Sequence, residues 1–153
     1  MSVANLLVPA LRWDRVRGWD AARPGIERGL ALGVGGFMLF GGEQDAVRQL
    51  TKELRQRSTV PLLIAADMER GAGQQFDGAT GLPPIAAIAS LNDPDAVRRA
   101  ARLTAKESRT LGVNWDFAPV CDVDLESENP VLGTRTFGGD AHRVASSVAV
   151  WIK

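Results

Sequence analysis

The 153-residue chain is poor in the side chains that bind metals or form cross-links. A single cysteine, Cys121, excludes an internal disulfide and leaves a multi-cysteine zinc site without ligands. Net charge is also missing, because 18 Lys and Arg balance 18 Asp and Glu. Without a basic surplus, neither nucleic acid nor an anionic membrane is expected as a partner. No apolar run approaches the length needed to cross a bilayer. The opening "MSVANLLVPALRW" has neither the basic start nor the continuous apolar stretch of a secretory signal, so a cytoplasmic location is the expectation. The one histidine, His142, sits in "GGDAHRVASS" with no evident base or metal partner and reads as an exposed helix residue. There is no Walker sequence. The glycines of "LGVGGFMLF" precede a strand, whereas a phosphate-cradling turn follows a strand and opens a helix. No metal and no cofactor are expected.

What the chain does have is a regular alternation. At 45% hydrophobic and 24% charged it can bury a core, as one globular domain or part of one. Four apolar stretches read as strands: "VANLLV" (Val3 to Val8), "GFMLF" (Gly36 to Phe40), "PLLIAA" (Pro61 to Ala66) and "VNWDFAPV" (Val113 to Val120). Helical patterns lie between them. In "EQDAVRQLTKELRQR" Val47, Leu50 and Leu54 recur at helical spacing. "DPDAVRRAARLTAKESRTLG" opens with Asp93 as N-cap and Pro94 in the first turn, and closes on Gly112. Its inner stripe is Val97, Ala100, Ala101, Thr104, Ser108 and Leu111. Apolar strands alternating with amphipathic helices predict an α/β fold with parallel strands, either an open doubly wound sheet or a (β/α)8 barrel. In both, function lies at the C-terminal ends of the strands.

The chain turns polar at those ends. "LLIAADMERGAGQQF" runs from a buried strand directly into Asp67, a second carboxylate at Glu69 and a loop spaced by glycines. A carboxylate ending a core strand is costly to bury without partners, so it has either a task or a local hydrogen-bonding role. The segments after the third and fourth strands are too long for plain connections. Cys121, at the end of the fourth strand, reads as a small buried filler.

Four motifs in series, "GGFMLFGG", "PLLIAADMERGAGQQF", "LGVNWDFAPVCDVD" and "NPVLGTRTFGGD", resemble the N-terminal barrel of glycoside hydrolase family 3, which includes β-N-acetylhexosaminidases and β-glucosidases. The resemblance covers the chain from Gly35 onward. It implies the N-terminal half, about four βα units, of a TIM-like (β/α)8 barrel with parallel strands. It also implies a retaining exo-glycosidase that removes a terminal β-linked N-acetylhexosamine or glucose from an oligosaccharide or glycoside substrate. By the same resemblance Asp67 grips hydroxyls of the terminal sugar, Arg135 helps hold that sugar, and Gln75 stands where the hexosaminidase branch has a sugar-contacting arginine. The chemistry suits the roles: a carboxylate accepts from adjacent hydroxyls and a guanidinium offers a fixed fork of donors. The alternatives are that Asp67 caps its loop and that Arg135 pairs with Asp122 or Asp124. Glu69 is expected to organise the loop by accepting backbone N–H groups.

The loop departs from the hexosaminidase pattern Asp-Gln-Glu-Gly-Gly-Arg-Val-Gln-Arg-Phe at Arg70, Ala72 and Gln75. A (β/α)8 barrel takes about 250 residues, and residues 1–153 are expected to form one partial barrel domain, cut within a helix carrying Val144, Val148, Trp151 and Ile152. The family's Lys-His-Phe-Pro-Gly-His-Gly segment and its nucleophilic Asp are not among these residues. No catalytic residue is therefore assigned here: both are expected beyond Lys153, and the isolated chain is expected to be inactive and to self-associate. Two other readings remain, a non-catalytic sugar-binding or interaction half-barrel and a small doubly wound domain. A strand order of 1-2-3-4 favours a half-barrel over the latter.

Overall fold

The computed structural model describes residues 2–126 and 128–153. Among the described residues four strands form one sheet: β1 (Ala10–Arg12), β2 (Gly36–Phe40), β3 (Leu63–Ala66) and β4 (Trp115–Asp116). They pair in the order β1-β2-β3-β4, every pair parallel, with Ala10 opposite Met38, Gly36 opposite Leu63 and Ala65 opposite Trp115. This sequential order is that of a barrel segment and excludes the doubly wound alternative.

Five α-helices accompany the strands among the described residues: α1 (Arg23–Leu32), α2 (Gln44–Arg57), α3 (Ile85–Ser90), α4 (Pro94–Leu111) and α5 (Ala141–Ile152). The long ones follow their sequence signals. The Asp93 side chain accepts from the Asp95 N–H, Pro94 lies in the first turn, and Gly112 ends α4 in the left-handed conformation at φ 77°. Every residue of its expected stripe is buried. In α2 Val47, Leu50 and Leu54 are buried against the sheet. Arg57 and Arg23, sharing Glu53, tie α2 to α1, with Arg57 also bound to Glu27. α1 and α3 have no strong sequence signal. α1 carries Gly25 and Gly29, and Phe37 packs so closely on Gly29 that a Cβ there would stand 2.8 Å from its ring.

One strand lies elsewhere than the sequence suggests. Val3 to Leu6 is a 3-10 turn, fixed by a capping box in which Ser2 and Asn5 satisfy each other's backbone N–H groups. The Asn5 amide donates to Gly33 O at 2.7 Å, and Gly35 N–H donates to Leu7 O. Strand pairing begins only past Pro9, whose ring leaves it without an N–H to donate. The glycines at 33, 35 and 36 are thus structural: Gly33 ends α1 at φ 68°, Gly35 lets Asn5 approach, and Gly36 lets β2 lie against Leu63. β2 matches its expected run, whereas β3 and β4 are shorter than theirs, β4 being only two residues long.

Burial divides the sheet by face. Leu11, Phe37, Leu39, Ile64 and Ala66 point towards the helices and form the main core with Val47, Leu50, Leu54, Met68 and Val113. A second core joins α3, α4 and α5 around Ile85, Val97, Phe137 and Val144. Val148 and Trp151 pack partly against it, whereas Ile152 is exposed. The opposite face of the sheet is open: Leu63, Trp115 and Phe117 are 45%, 39% and 42% exposed, the rings of the last two 4.7 Å apart and tilted by 39°. Parallel strands are ordinarily covered on both faces.

Two glycine substitutions test this packing. Gly36→Ala would drive a Cβ into the Leu63 backbone, so a loss of about 2 kcal/mol or more is expected, at the scale of overpacking in a tight core. Gly25→Ala meets nothing within 4 Å in α1 and should stabilise by about 0.4–1 kcal/mol. Urea unfolding of both variants checks the pair, and equal effects would contradict it.

Candidate functional site at the strand ends

Three loops rise from the C-terminal ends of β2, β3 and β4, and the chain binds them together. The loop after β3 is pinned to the one after β2: Asp77 N–H donates to Gly42 O at 2.9 Å, Gln44 N–H to Asp77 O at 3.1 Å, and the Gln44 amide to Gly78 O at 3.0 Å. Gln75 belongs to this seam, its Oε1 accepting from Gly41 N–H at 3.3 Å. Thr80, further along the same loop, is held to α4 through the Glu107 carboxylate.

The loops after β3 and β4 meet through one ion pair. Arg135 donates from Nε to Glu69 Oε2 at 2.9 Å and from Nη2 to Oε1 at 2.6 Å, across 66 residues of sequence. Nη1 donates to Val131 O at 3.0 Å. Glu69 is buried at 8% exposure, while Arg135 reaches solvent. The expected role for Glu69 is corrected here: its oxygens are taken by a guanidinium fork and not by backbone N–H groups. Arg135 likewise pairs with Glu69, not with Asp122 or Asp124. A guanidinium has five N–H groups; with three engaged, one on each terminal nitrogen is left to donate.

Asp67 is one residue past β3 and continues the alternation of Leu63 and Ala65, so it stands at the mouth of the open face. Among the described residues no group hydrogen-bonds its carboxylate, so it does not cap its loop. Its pKa is raised, first by burial and then by the nearby charge of Glu69, with Arg135 opposing. Asp67 and Arg135 are therefore close enough to sense each other, whereas Gln75 is committed to the β2 side.

Asp116, at the end of β4, was not singled out by the sequence motifs, although it carries the same signal as Asp67: a carboxylate ending a strand. Its Oδ1 accepts from Met68 N–H at 3.0 Å. Burial lifts its pKa to about 6, the repulsion of Asp67 and Glu69 adding to this and the Met68 bond opposing it. Cys121 is another correction: it is exposed, because the chain leaves the sheet after Asp116 and the residue never enters a core. His142 is exposed in the first turn of α5, as expected. With Asp67, Glu69 and Asp122 near the Arg135 guanidinium, the site has an excess of negative charge. It suits a neutral ligand rich in hydroxyl donors and repels an anionic one.

The raised pKa of Asp116 has a pH consequence. Between pH 4 and 6 the folded protein keeps a proton that the unfolded chain, near 3.8, has released. This contribution to stability is present below pH 4 and lost as pH rises through about 6. Asp116→Asn should remove that slope, and carbon NMR should find the Asp116 carboxyl titrating near 6. A midpoint below 4.5 would contradict the burial argument.

Comparison with known proteins shows the family and the fold. The model of the glycosyl hydrolase family 3 N terminal domain matches residues 27–153. A β-N-acetylglucosaminidase/β-glucosidase of Cellulomonas fimi is 43% identical over 122 residues, 80% of this chain and 22% of that protein. A β-hexosaminidase of Xylella fastidiosa is 36% identical over 130 residues, 78% of this chain and 38% of that one. The solved structure of a glycoside hydrolase family 3 β-N-acetylglucosaminidase from Paenibacillus superposes with a TM-score of 0.82 at 30% identity, covering 99% of this chain and 30% of its own. The chain thus spans well under half the length of these relatives, and its four parallel βα units match the barrel of their family. This chain belongs to glycosyl hydrolase family 3, its residues 27–153 matching the family's N-terminal domain.

Proposed function

We propose that the chain carries the sugar-gripping part of a retaining exo-glycosidase acting on a terminal β-linked N-acetylhexosamine or glucose. The observation that carries this reading is the pairing of an unengaged carboxylate with a locked guanidinium. Asp67 has acceptor oxygens and no partner among the described residues, and beside it Arg135 is held by Glu69 with two N–H groups free. Adjacent sugar hydroxyls can donate to the first and accept from the second. The names of the relatives support the substrate class, and the open apolar face with Trp115 and Phe117 offers a surface for the faces of a sugar ring.

Retaining hydrolysis needs a nucleophile and a proton donor on opposite sides of the anomeric carbon. Neither role is assigned to Asp67, whose proposed work is to accept from hydroxyls, nor to Asp116, which is turned to the helices. The reading for the 153 residues alone is therefore binding without turnover. Gln75 enters chiefly through its amide N–H groups, since its oxygen already accepts from Gly41.

In an enzyme containing these residues with the family's acid/base and nucleophile, Asp67→Ala and Arg135→Ala should each lower kcat/KM roughly 30- to 1,000-fold, or about 2 to 4 kcal/mol. Cys121→Ala and His142→Ala should stay within about twofold. Steady-state kinetics on a 4-nitrophenyl N-acetyl-β-glucosaminide and β-glucoside checks this, and a near-wild-type Asp67→Ala would refute the sugar-binding role.

The isolated 153-residue chain is expected to bind N-acetylglucosamine or glucose without hydrolysing either chromogenic substrate. It should also self-associate through the free edges of β1 and β4 and the open sheet face, since unpaired parallel edges template further pairing. Calorimetry, a hydrolysis assay and sedimentation at micromolar concentration test the three parts. Turnover or a stable monomer would count against the corresponding part.

A further inference from the structure

We infer that Asp116 is a positioning residue for Asp67, holding the Asp67–Met68 peptide so that the Asp67 carboxylate faces the open mouth of the sheet. The seam between β3 and β4 is short. It is extended below by Asn114, whose side chain accepts from Ile64 N–H at 2.7 Å and donates to Leu62 O at 3.1 Å. Above, Phe117 N–H donates to Ala66 O at 3.0 Å. The next donor up β3 is Met68 N–H, and the acceptor that meets it is the Asp116 side chain.

That N–H belongs to the peptide plane joining Asp67 to Met68. Because the peptide is planar, fixing its N–H fixes the plane that carries the Asp67 Cα, and so narrows the directions in which the Asp67 side chain can leave the strand. The plane is held from two sides: the Met68 side chain is fully buried, its sulfur 3.6 Å from Ser108 Oγ of α4, and Asp116 takes the N–H. Asp116 itself lies opposite Ala66, a residue turned to the helices, and lines a cavity with Thr104, Ser108 and Arg109 of α4. It is therefore on the side of the sheet away from Asp67 and acts on a ligand only through the peptide. The requirement is for an acceptor at this distance and not for a charge. The raised pKa agrees, since burial foremost, and then the charges of Asp67 and Glu69, disfavour the ionised form.

This role rests on the sugar-binding reading of Asp67, and the experiment separates the two. Met68 amide hydrogen exchange and N-acetylglucosamine and glucose affinity are measured in the 153-residue chain and in its Asp116→Asn, Asp116→Ala and Asp116→Glu variants. Asp67→Ala is measured alongside. Asp116→Asn retains an acceptor oxygen and should keep Met68 exchange and sugar affinity within about twofold. Asp116→Ala should speed exchange of the Met68 amide at least tenfold and weaken sugar binding about tenfold or more. If Asp116→Ala does not fold, Asp116→Glu decides: it keeps the charge but displaces the oxygen, and should show the same two losses. Unchanged Met68 exchange in Asp116→Ala, or in Asp116→Glu where that variant decides, overturns the inference, as does Asp116→Asn losing sugar affinity as far as the disruptive variant. Failure of the underlying reading looks different: sugar does not bind the wild-type chain, or Asp67→Ala binds it normally. The exchange measurement still tests the Asp116–Met68 bond in that case.

Discussion

A parallel strand cannot satisfy itself or be closed by a tight hairpin, and β3 is where this chain meets that constraint. Its neighbours are β2 on one side and a two-residue β4 on the other, so main-chain pairing to β4 is brief. Side chains lengthen it. Asn114 extends the seam towards the start of β3 and Asp116 towards its end, each standing in for backbone groups that have turned away. Everything proposed for binding hangs from the upper end of this seam. Asp67 is the first residue after β3, Glu69 follows two residues later, and the loop after β4 is joined to this end by the bond between Arg135 and Glu69.

That ion pair sits where geometry decides its worth. Glu69 is almost fully buried, and an unpaired carboxylate there would be strongly disfavoured. The bidentate fork compensates it on both oxygens, which an ammonium could not do with the same planarity. The arrangement also orients Arg135: with Nε and Nη2 bound to Glu69 and Nη1 to Val131 O, the guanidinium has little freedom left. Its remaining donors point in directions set by the protein before any ligand arrives. A binding group prepared in this way loses less conformational freedom when it engages.

Much of this was legible in the sequence where a residue acts through its local spacing. The caps of α4, the stripe of α2, the strand "GFMLF" and the carboxylate closing "PLLIAA" each declare themselves within a few residues. What stayed hidden depends on distant partners. "VANLLV" has the composition of a strand, yet Ser2 and Asn5 fold it into a turn, and the contact that holds it there is with Gly33 and Gly35. α1 carries Gly29 because Phe37 needs the space, which no helical pattern reveals. Cys121 follows an apolar run but lies beyond the point where the chain leaves the sheet. The partner of Glu69 is 66 residues away, so spacing could name both residues of the pair without joining them.

The two carboxylates at the strand ends show why a buried strand closes on an acid. Asp67 and Asp116 end neighbouring parallel strands, and the alternation of side chains sends them to opposite faces of the sheet. On the helix side Asp116 is half-buried and finds a donor within the fold in Met68 N–H. On the open side Asp67 finds none among the described residues, and burial with the charge of Glu69 leaves it more easily protonated than a free carboxylate. Hydroxyl donors would supply the hydrogen bonds that water or a neighbour would otherwise provide, and hydrogen bonds to the ionised form would draw its pKa back down. The same residue type thus serves structure on one face and is left available on the other, and the face decides which.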